Sequence, residues 1–166
     1  TDIPAEAILF DMYYNGKEAA EALKNPEIKK LPVTEETPAF RRIFIRNIAC
    51  LGAEHAIYVQ GLPEMNVQEL HIENSIFHTK HGLTCVEGDG IQLKNIVFET
   101  GSTDPGIHIL NSRNLTLENV QISGKAKTGL QVDGKQSNGI QLRNSNIETL
   151  GILFGEGVNK GILTKQ

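Results

Sequence analysis

Three of the five histidines and both cysteines are the residues of this chain that we consider first as candidates for metal binding or catalysis. His55, His78 and His81 could offer imidazole ligands to a metal ion if adjacent strands brought them together. No metal-binding motif accompanies them, so surface or turn positions are the favoured interpretation. Cys50 and Cys85 are too few for a disulfide scaffold and lack the spacing of a zinc site. The sequence therefore predicts no metal and no cofactor.

The composition narrows the class of protein. The 166 residues are 39% apolar and 22% charged, which suits a single globular domain over residues 1–166. Sixteen Lys and Arg face 20 Asp and Glu, and no basic block occurs, which argues against a nucleic-acid partner. No apolar run approaches the roughly 18 residues of a membrane span, so no membrane partner is expected either.

An internal repeat predicts the elements that must position these residues. Five segments share the pattern apolar, x, apolar, x, Asn, x, x, apolar. Their asparagines are Asn47, Asn74, Asn95, Asn119 and Asn144, separated by 27, 21, 24 and 25 residues. Period-two alternation is typical of strands, and about 24 residues per repeat is typical of one turn of a solenoid.

A second short element recurs between these segments, with a small residue followed by apolar, x, apolar. Its glycines are Gly82, Gly106, Gly129 and Gly151. Short strands in stacked repeats predict an all-β fold, a right-handed parallel β-helix of about five to six coils. The glycines are expected at corners where a side chain would clash or where φ is positive.

Each repeat position has an expected role in that fold. In each repeat, the residues four and two positions before the asparagine and three positions after it should point inward. Cys50 is one of these residues. Cys85 should point inward as well, from the glycine-led element. The asparagines should adopt left-handed backbone geometry and form an amide ladder along the axis. The outward residues just before them alternate in sign, so neighbouring coils should place opposite charges together: Arg46, Glu73, Lys94, Glu118 and Arg143.

Two stretches interrupt the period. Residues 13–38 form an insertion in which 16–24 are rich in helix formers and stop before Pro26, which predicts a short helix. The tail from Gly155 contains one more weak element, 161–163, expected to cap the last coil. Because 7–10 matches the glycine-led element without an asparagine segment ahead of it, we expect further coils to precede this chain.

The repeat, together with the opening segment Asp2-Ile-Pro-Ala-Glu-Ala-Ile-Leu-Phe-Asp-Met-Tyr-Tyr14, resembles the C-terminal coils of polygalacturonase-like enzymes, glycoside hydrolase family 28. The resemblance implies a secreted or periplasmic protein whose partner is pectin. Such enzymes hydrolyse α-1,4-galacturonosyl links with inversion and without a metal. An ungapped match of 7–14 to the family implies that Tyr14, with Asp11 beside it, contacts substrate. The alternative is that Tyr13 and Tyr14 anchor the insertion by packing.

The family's catalytic motifs are missing from this chain. There is no Asp-Asp pair and no Arg-Ile-Lys, and Lys80-His81-Gly82 lacks the first glycine of the histidine motif. Inverting hydrolysis needs a carboxylic acid and a carboxylate base. The outward positions of the glycine-led strands hold neither, since they are Leu9, Tyr58, Thr84, His108, Gln131 and Leu153.

We therefore predict that this chain alone is catalytically silent and forms the C-terminal portion of a pectin-degrading β-helix enzyme. A non-catalytic β-helix module for carbohydrate binding or adhesion is the alternative. A polysaccharide lyase on the same fold is a third possibility, but the clustered acids that would bind calcium are not evident.

Overall fold

The computed structural model describes residues 3–13 and 30–165, which are almost entirely β-structure. The strands are β1 (Ile3–Asp11), β2 (Arg41–Arg46), β3 (Ala49–Leu51), β4 (Ala53–Gln60), β5 (Val67–Thr79), β6 (His81–Val86), β7 (Gly88–Asp89), β8 (Gln92–Thr100), β9 (Ile107–Leu110), β10 (Arg113–Gly124), β11 (Leu130–Asp133), β12 (Asn138–Arg143), β13 (Ile152–Phe154) and β14 (Leu163–Lys165). One helical turn, α1 (Ile147–Leu150), and one 3-10 turn, Lys160–Ile162, complete the described elements.

The strands stack into two parallel sheets that wind about five times around a common axis. The first sheet has the order β1-β4-β6-β9-β11-β13. The second has the order β14-β12-β10-β7-β5-β2, with β3 joined to β5 and β8 joined to both β5 and β10. Each strand pairs in register with the equivalent strand of the next coil, and these pairs are parallel. The predicted β-solenoid is confirmed.

The interior is a stack of apolar side chains from the positions that the repeat predicts. Phe77 and Phe98 lie on adjacent coils with ring centroids 5.7 Å apart, and both are completely buried. Cys50 and Cys85 also point inward and are free thiols. Ile43 and Ile45 of β2 are only partly buried, because β2 is an edge strand of the second sheet and the coil of β5 covers it from one side.

Three of the five repeated asparagines, Asn74, Asn95 and Asn119, form an amide ladder of the predicted kind at a bend of the second sheet. All five have positive φ, between 49° and 60°. Nδ2 of Asn95 donates to Oδ1 of Asn74 at 2.8 Å, and Nδ2 of Asn119 donates to Oδ1 of Asn95 at 2.9 Å. The amides thus satisfy each other along the axis while the backbone turns.

A second left-handed column lies five residues before each asparagine. Its members are Arg42, Glu69, Gly90, Asn114 and Gly139, with φ between 52° and 73°. The strand register aligns them, since Arg41, Gln68, Asp89, Arg113 and Asn138 pair in succession. Each coil therefore bends twice in the second sheet, and only the bend marked by asparagine was expected from the sequence.

The glycines that begin the first-sheet strands are required by space or by φ, as predicted. A Cβ on Gly82 would lie 2.1 Å from the carbonyl oxygen of Gly106, and one on Gly129 would lie 2.2 Å from that of Ile147. Gly151 has open space around it but a φ of 95°. The corner into the first sheet thus accepts no side chain at these positions.

The alternating charges meet across neighbouring coils in the predicted register. Glu73 pairs with Arg46 on one side and Lys94 on the other, and Glu118 pairs with Lys94 and Arg143. Two of these pairs have ion-pair distances, 3.6 Å from Arg46 Nε to Glu73 Oε1 and 3.0 Å from Lys94 Nζ to Glu118 Oε1. The pairs are solvent-exposed, so each contributes a few tenths of a kcal/mol to about 1 kcal/mol.

The two interruptions of the repeat differ in what can be described. The predicted helix over 16–24 lies outside the described residues. The tail continues the stack, because β14 pairs in parallel with β12 and Ile162 is buried.

Across residues 3–13 and 30–165, no helix is long and apolar enough to cross a membrane.

Candidate functional site

A row of outward side chains crosses the first sheet along the axis of the coil stack. It consists of Tyr58, Thr84, His108 and Gln131, which strand pairing places side by side on β4, β6, β9 and β11. Neighbouring strands are about 4.8 Å apart, so the row spans about 14 Å. Exposed leucines, Leu9 and Leu153, occupy the same position at its two ends. A polar strip with apolar ends suits an elongated ligand lying along the axis.

Side chains beside this row form walls around a depression of about 250 Å³. We call the row and its walls the first-sheet groove. Beside the row, His55, His81 and Asp104 line the depression. Asp133, which contacts His108 and Gln131, forms the opposite wall of the groove. β4, β6 and β11 position His55, His81 and Asp133, and the loop before β9 supplies Asp104.

His108 and Gln131 share one acceptor. Nε2 of His108 lies 2.8 Å from Oδ2 of Asp133, and Nε2 of Gln131 donates to the same oxygen at 2.7 Å. These contacts fix both groove side chains at their outer ends. Because Gln131 and Asp133 are two residues apart on one strand, both face outward.

Two imidazole rings stack at the opposite wall. The rings of His55 and His81, in register on β4 and β6, have centroids 4.7 Å apart at an angle of 23°. The ring of Tyr58 meets His55 edge-on at 5.4 Å. Burial, then the nearby His81, lowers the pKa of His55. His55 therefore lies in this wall as a neutral ring at neutral pH, and the three rings pack against one another.

Carboxylates surround His81 on both sides. Its Nδ1 lies 3.2 Å from Oδ2 of Asp104, and its Nε2 lies 3.5 Å from Oε1 of Glu54. Lys80 donates to the same Glu54 oxygen at 2.7 Å, and that hydrogen bond is the main cause that lowers the pKa of Glu54. His81 is thus held in orientation at the groove wall by two acids from different coils.

Of the two residues expected to contact substrate, Asp11 can be placed. It is exposed at the end of β1, where its Oδ1 accepts a hydrogen bond from the backbone of Tyr13 at 2.9 Å. Asp11 pairs in register with Gln60, two residues after Tyr58, so it lies near one end of the groove. Burial raises the pKa of Tyr58, and the charges of Asp11 and Glu6 raise it further. Tyr14 lies outside the described residues.

The three histidines of the metal hypothesis do not meet. His55 and His81 stack, but His78 faces a different corner and pairs with Glu99 at 3.1 Å. Within residues 3–13 and 30–165, no group of three His, Cys, Asp or Glu side chains is arranged to hold a metal ion. Cys85 is also unsuited to chemistry, since burial raises its pKa to about 12.

A larger depression of about 610 Å³ lies at that other corner, lined by Glu54, His78, Lys80 and Glu99 among others. Four of its charged groups are paired with one another, Lys80 with Glu54 at 2.7 Å and His78 with Glu99 at 3.1 Å. The first-sheet groove, in contrast, combines a ring surface with polar atoms arranged along the axis. We therefore take the groove as the candidate site.

Sequence reasoning identified the row but missed its acidic walls. Asp133 could have been found, because period-two alternation places it on the same face as Gln131. In the sequence, Asp104 stands before Pro105, a pattern that indicates only a turn. Its contact with His81 depends on the path of a loop, which no periodicity predicts.

The stacked parallel coils and the groove on their outer face define a β-helix protein. Residues 39–164 match the family model described as right handed beta helix region, and the chain belongs to this family. The predicted handedness is thereby confirmed. No curated protein and no solved structure matches the chain.

Proposed function

We propose that this chain binds a polysaccharide in the first-sheet groove and forms the substrate-binding part of a pectin-degrading β-helix enzyme similar to the polygalacturonases. It binds the sugar chain without cleaving it. The observation that carries the proposal is the row Tyr58, Thr84, His108 and Gln131, aligned along the coil axis and bordered by ring and carboxylate walls.

The groove has the two kinds of contact that sugars use. The rings of Tyr58, His55 and His81 offer an apolar surface for the C–H face of a sugar ring. Thr84, His108 and Gln131 offer hydroxyl, imidazole and amide groups for sugar hydroxyls. Their repetition at each coil matches a ligand that itself repeats, because one strand step presents one more polar side chain.

The wall carboxylates support binding rather than hydrolysis. Inverting hydrolysis needs one proton-donating acid and one base, several ångströms apart across the scissile bond. Asp133 is engaged by His108 and Gln131, and Asp104 is engaged by His81. In these positions the acids orient the histidines of the groove.

The test is binding of the purified chain to pectin, measured by affinity electrophoresis and calorimetry, with reducing ends assayed in parallel. We expect saturable binding and no release of reducing ends. Gln131→Ala should weaken binding about threefold to tenfold, the effect of one lost hydrogen bond. Gln92→Ala is the matched control, because Gln92 occupies an exposed outward position on the second sheet.

Equal losses for both glutamine variants would contradict the groove assignment, and wild-type turnover of pectin would contradict the non-catalytic role.

A β-helix module that binds carbohydrate without an enzyme partner is the second candidate. The contacts of Asp104 with His81 and of Asp133 with His108 and Gln131 favour it, because both acids then position groove side chains. Retention by neutral polysaccharides but not by any galacturonan would support this second candidate.

A further inference from the structure

One peptide bond of the second sheet brings together the two groups that react in asparagine deamidation. Asn138 begins β12 and is exposed, and Gly139 follows it at the left-handed bend with a φ of 64°. The backbone N–H of Gly139 donates to Oδ1 of Asn138 at 2.8 Å. Because Oδ1 is bonded to Cγ, the backbone nitrogen lies beside the carbon that it would attack.

The bend requires glycine directly after this asparagine. A Cβ on Gly139 would lie 3.1 Å from Oδ1 of Asn114, and its positive φ would strain any other residue. Among the described strands, β14 pairs with β12 only from Ile140 onward, so the Asn138–Gly139 peptide is open on that side. The fold therefore keeps an unhindered nitrogen beside an exposed carboxamide.

The same bend two coils earlier holds a similar pair, Asp89 and Gly90, in an unreactive arrangement. The N–H of Gly90 donates to the carbonyl oxygen of Arg113 at 3.1 Å, away from the preceding side chain. Both carboxylate oxygens of Asp89 are also engaged, Oδ2 by Arg113 at 2.9 Å and Oδ1 by Asn114 at 2.8 Å. The bend alone thus does not create the reactive geometry.

The ladder asparagines are protected as well. The nitrogen that follows Asn119 belongs to Val120, a β-branched residue, and it donates to Oγ of Ser145 at 3.1 Å. Within residues 3–13 and 30–165, Asn138 is the asparagine that precedes a glycine.

We propose that Asn138 is a site of spontaneous deamidation held in reactive geometry by the folded protein. The nitrogen of Gly139, as its anion, forms a bond to Cγ of Asn138. The Cγ–Nδ2 bond breaks, and Nδ2 leaves as ammonia with the proton that Gly139 gave up. Water then opens the five-membered imide. Breaking the new N–Cγ bond gives aspartate, and breaking the bond to the main-chain carbonyl carbon gives isoaspartate. One water is consumed and one ammonia released, without oxidation or reduction.

The two products affect the stack differently. Asn138 pairs in register with Arg113, whose Nε lies 2.9 Å from Oδ2 of Asp89 on the other side. The aspartate product places a second carboxylate beside Arg113 and leaves the backbone unchanged. The isoaspartate product adds one carbon to the backbone just before Ile140, which is completely buried, and so disturbs the register of β12 on β10.

The test incubates the purified chain in warm, mildly alkaline buffer and follows each asparagine by peptide mapping and mass spectrometry. An isoaspartate-specific methyltransferase labels the isoaspartate product. We expect conversion of Asn138 at least about tenfold faster than conversion of Asn119. Asn15 also precedes a glycine but lies outside the described residues, and peptide mapping resolves it from Asn138.

Unfolding the chain tests the role of the fold. The rate at Asn138 in buffer should lie within about tenfold of its rate in guanidinium, because the bend already holds the nitrogen beside Cγ. The ratio of the two rates should be at least about tenfold less favourable at Asn119, whose following nitrogen is held elsewhere in the folded chain. Conversion of Asn138 no faster than that of Asn119, or a rate in buffer more than about tenfold below that in guanidinium, overturns the inference.

A product-matched variant isolates the effect of isoaspartate. Asn138→Asp carries the aspartate product from the start and should melt within about 2 °C of the fresh wild type. Wild type aged to a high isoaspartate content should melt at a lower temperature than this variant. Equal melting of the two would contradict the assigned effect on the register of β12. None of these measurements involves a ligand of the groove, so their outcomes are independent of the proposed function.

Discussion

Nδ2 of Asn95 donates a hydrogen bond to Oδ1 of Asn74 at 2.8 Å, and so links two successive coils at the point where both backbones are left-handed. Oδ1 of Asn95 accepts in turn from Asn119. Asparagine thus has two roles at this corner. It tolerates the positive φ, and its amide joins neighbouring coils through hydrogen bonds between side chains.

Two substitutions at Asn95 separate these roles. Asn95→Ala loses both ladder hydrogen bonds and places a strained alanine at φ 53°, so it should lower the free energy of unfolding by about 2–3 kcal/mol. Asn95→Gly keeps the backbone freedom and should cost about 1 kcal/mol. Urea unfolding followed by circular dichroism measures both. A glycine variant as stable as the wild type would show that the amide ladder contributes nothing.

Gly82 lies where two neighbouring coils come too close together to leave space for a side chain. A Cβ there would lie 2.1 Å from the backbone oxygen of Gly106, so Gly82→Ala must push two coils apart and should cost about 1–3 kcal/mol. Gly101→Ala is the matched control, because its nearest neighbour would be Lys80 Cα at 3.6 Å. Chemical denaturation should show the control within about 0.5 kcal/mol of the wild type. Equal stability of the two variants would contradict the close approach.

The fold could be predicted from the sequence because its determinants recur at fixed positions. Inward apolar residues and ladder asparagines repeat in type as well as in place, so the period exposes them. The column of Arg42, Glu69, Gly90, Asn114 and Gly139 repeats only in backbone geometry. Arginine and glutamate are not residue types that favour positive φ, and neighbouring coils impose the conformation on them. The place of Asp104 in the groove wall could not be predicted from the sequence either, because a loop positions it.

Because of Glu87, we expect the free energy of unfolding to depend on pH in a direction unusual for a glutamate. It is buried, with Asn66 donating to its Oε2 at 3.0 Å, and burial raises its pKa despite the hydrogen bonds from Asn111 and Asn66. The folded state therefore binds this proton more tightly than the unfolded state. As pH rises from the ordinary glutamate value of about 4.3 through the raised folded value, this group lowers the stability of the fold.

Glu87→Gln removes that dependence without changing the size of the side chain. Its melting temperature relative to the wild type should therefore be higher at pH 7 than at pH 4, whatever the substitution costs at both. Differential scanning calorimetry at the two pH values provides the measurement. Glu156→Gln, at an exposed turn, should show no such trend. A difference that is constant with pH would contradict the raised pKa of Glu87.

We expect the thiol of Cys85 to be unreactive in the folded protein. Burial raises its pKa to about 12, and its Sγ lies 3.6 Å from Oγ of Ser112 inside the stack. At pH 8 about 1 in 10,000 such thiols is ionised, against about one in four at the ordinary value of about 8.5. In a Cys50→Ala background, an aromatic disulfide reagent should react with Cys85 over a thousandfold faster in guanidinium than in buffer. Similar rates in both would show that the stack opens readily.

Glu118 tests whether the charge column stabilises the stack. It lies in register between Lys94 and Arg143, and its Oε1 is 3.0 Å from Lys94 Nζ. Glu118→Lys creates three adjacent positive charges on successive strands and should cost about 1 kcal/mol in low salt. Glu156→Lys makes the same change in net charge outside the column, so it separates pairwise repulsion from the effect of net charge. Because the Debye length falls from about 10 Å at 0.1 M salt to about 3 Å at 1 M, the penalty at Glu118 should shrink between these concentrations. A penalty that is independent of salt would instead assign the loss to packing of the Glu118 side chain.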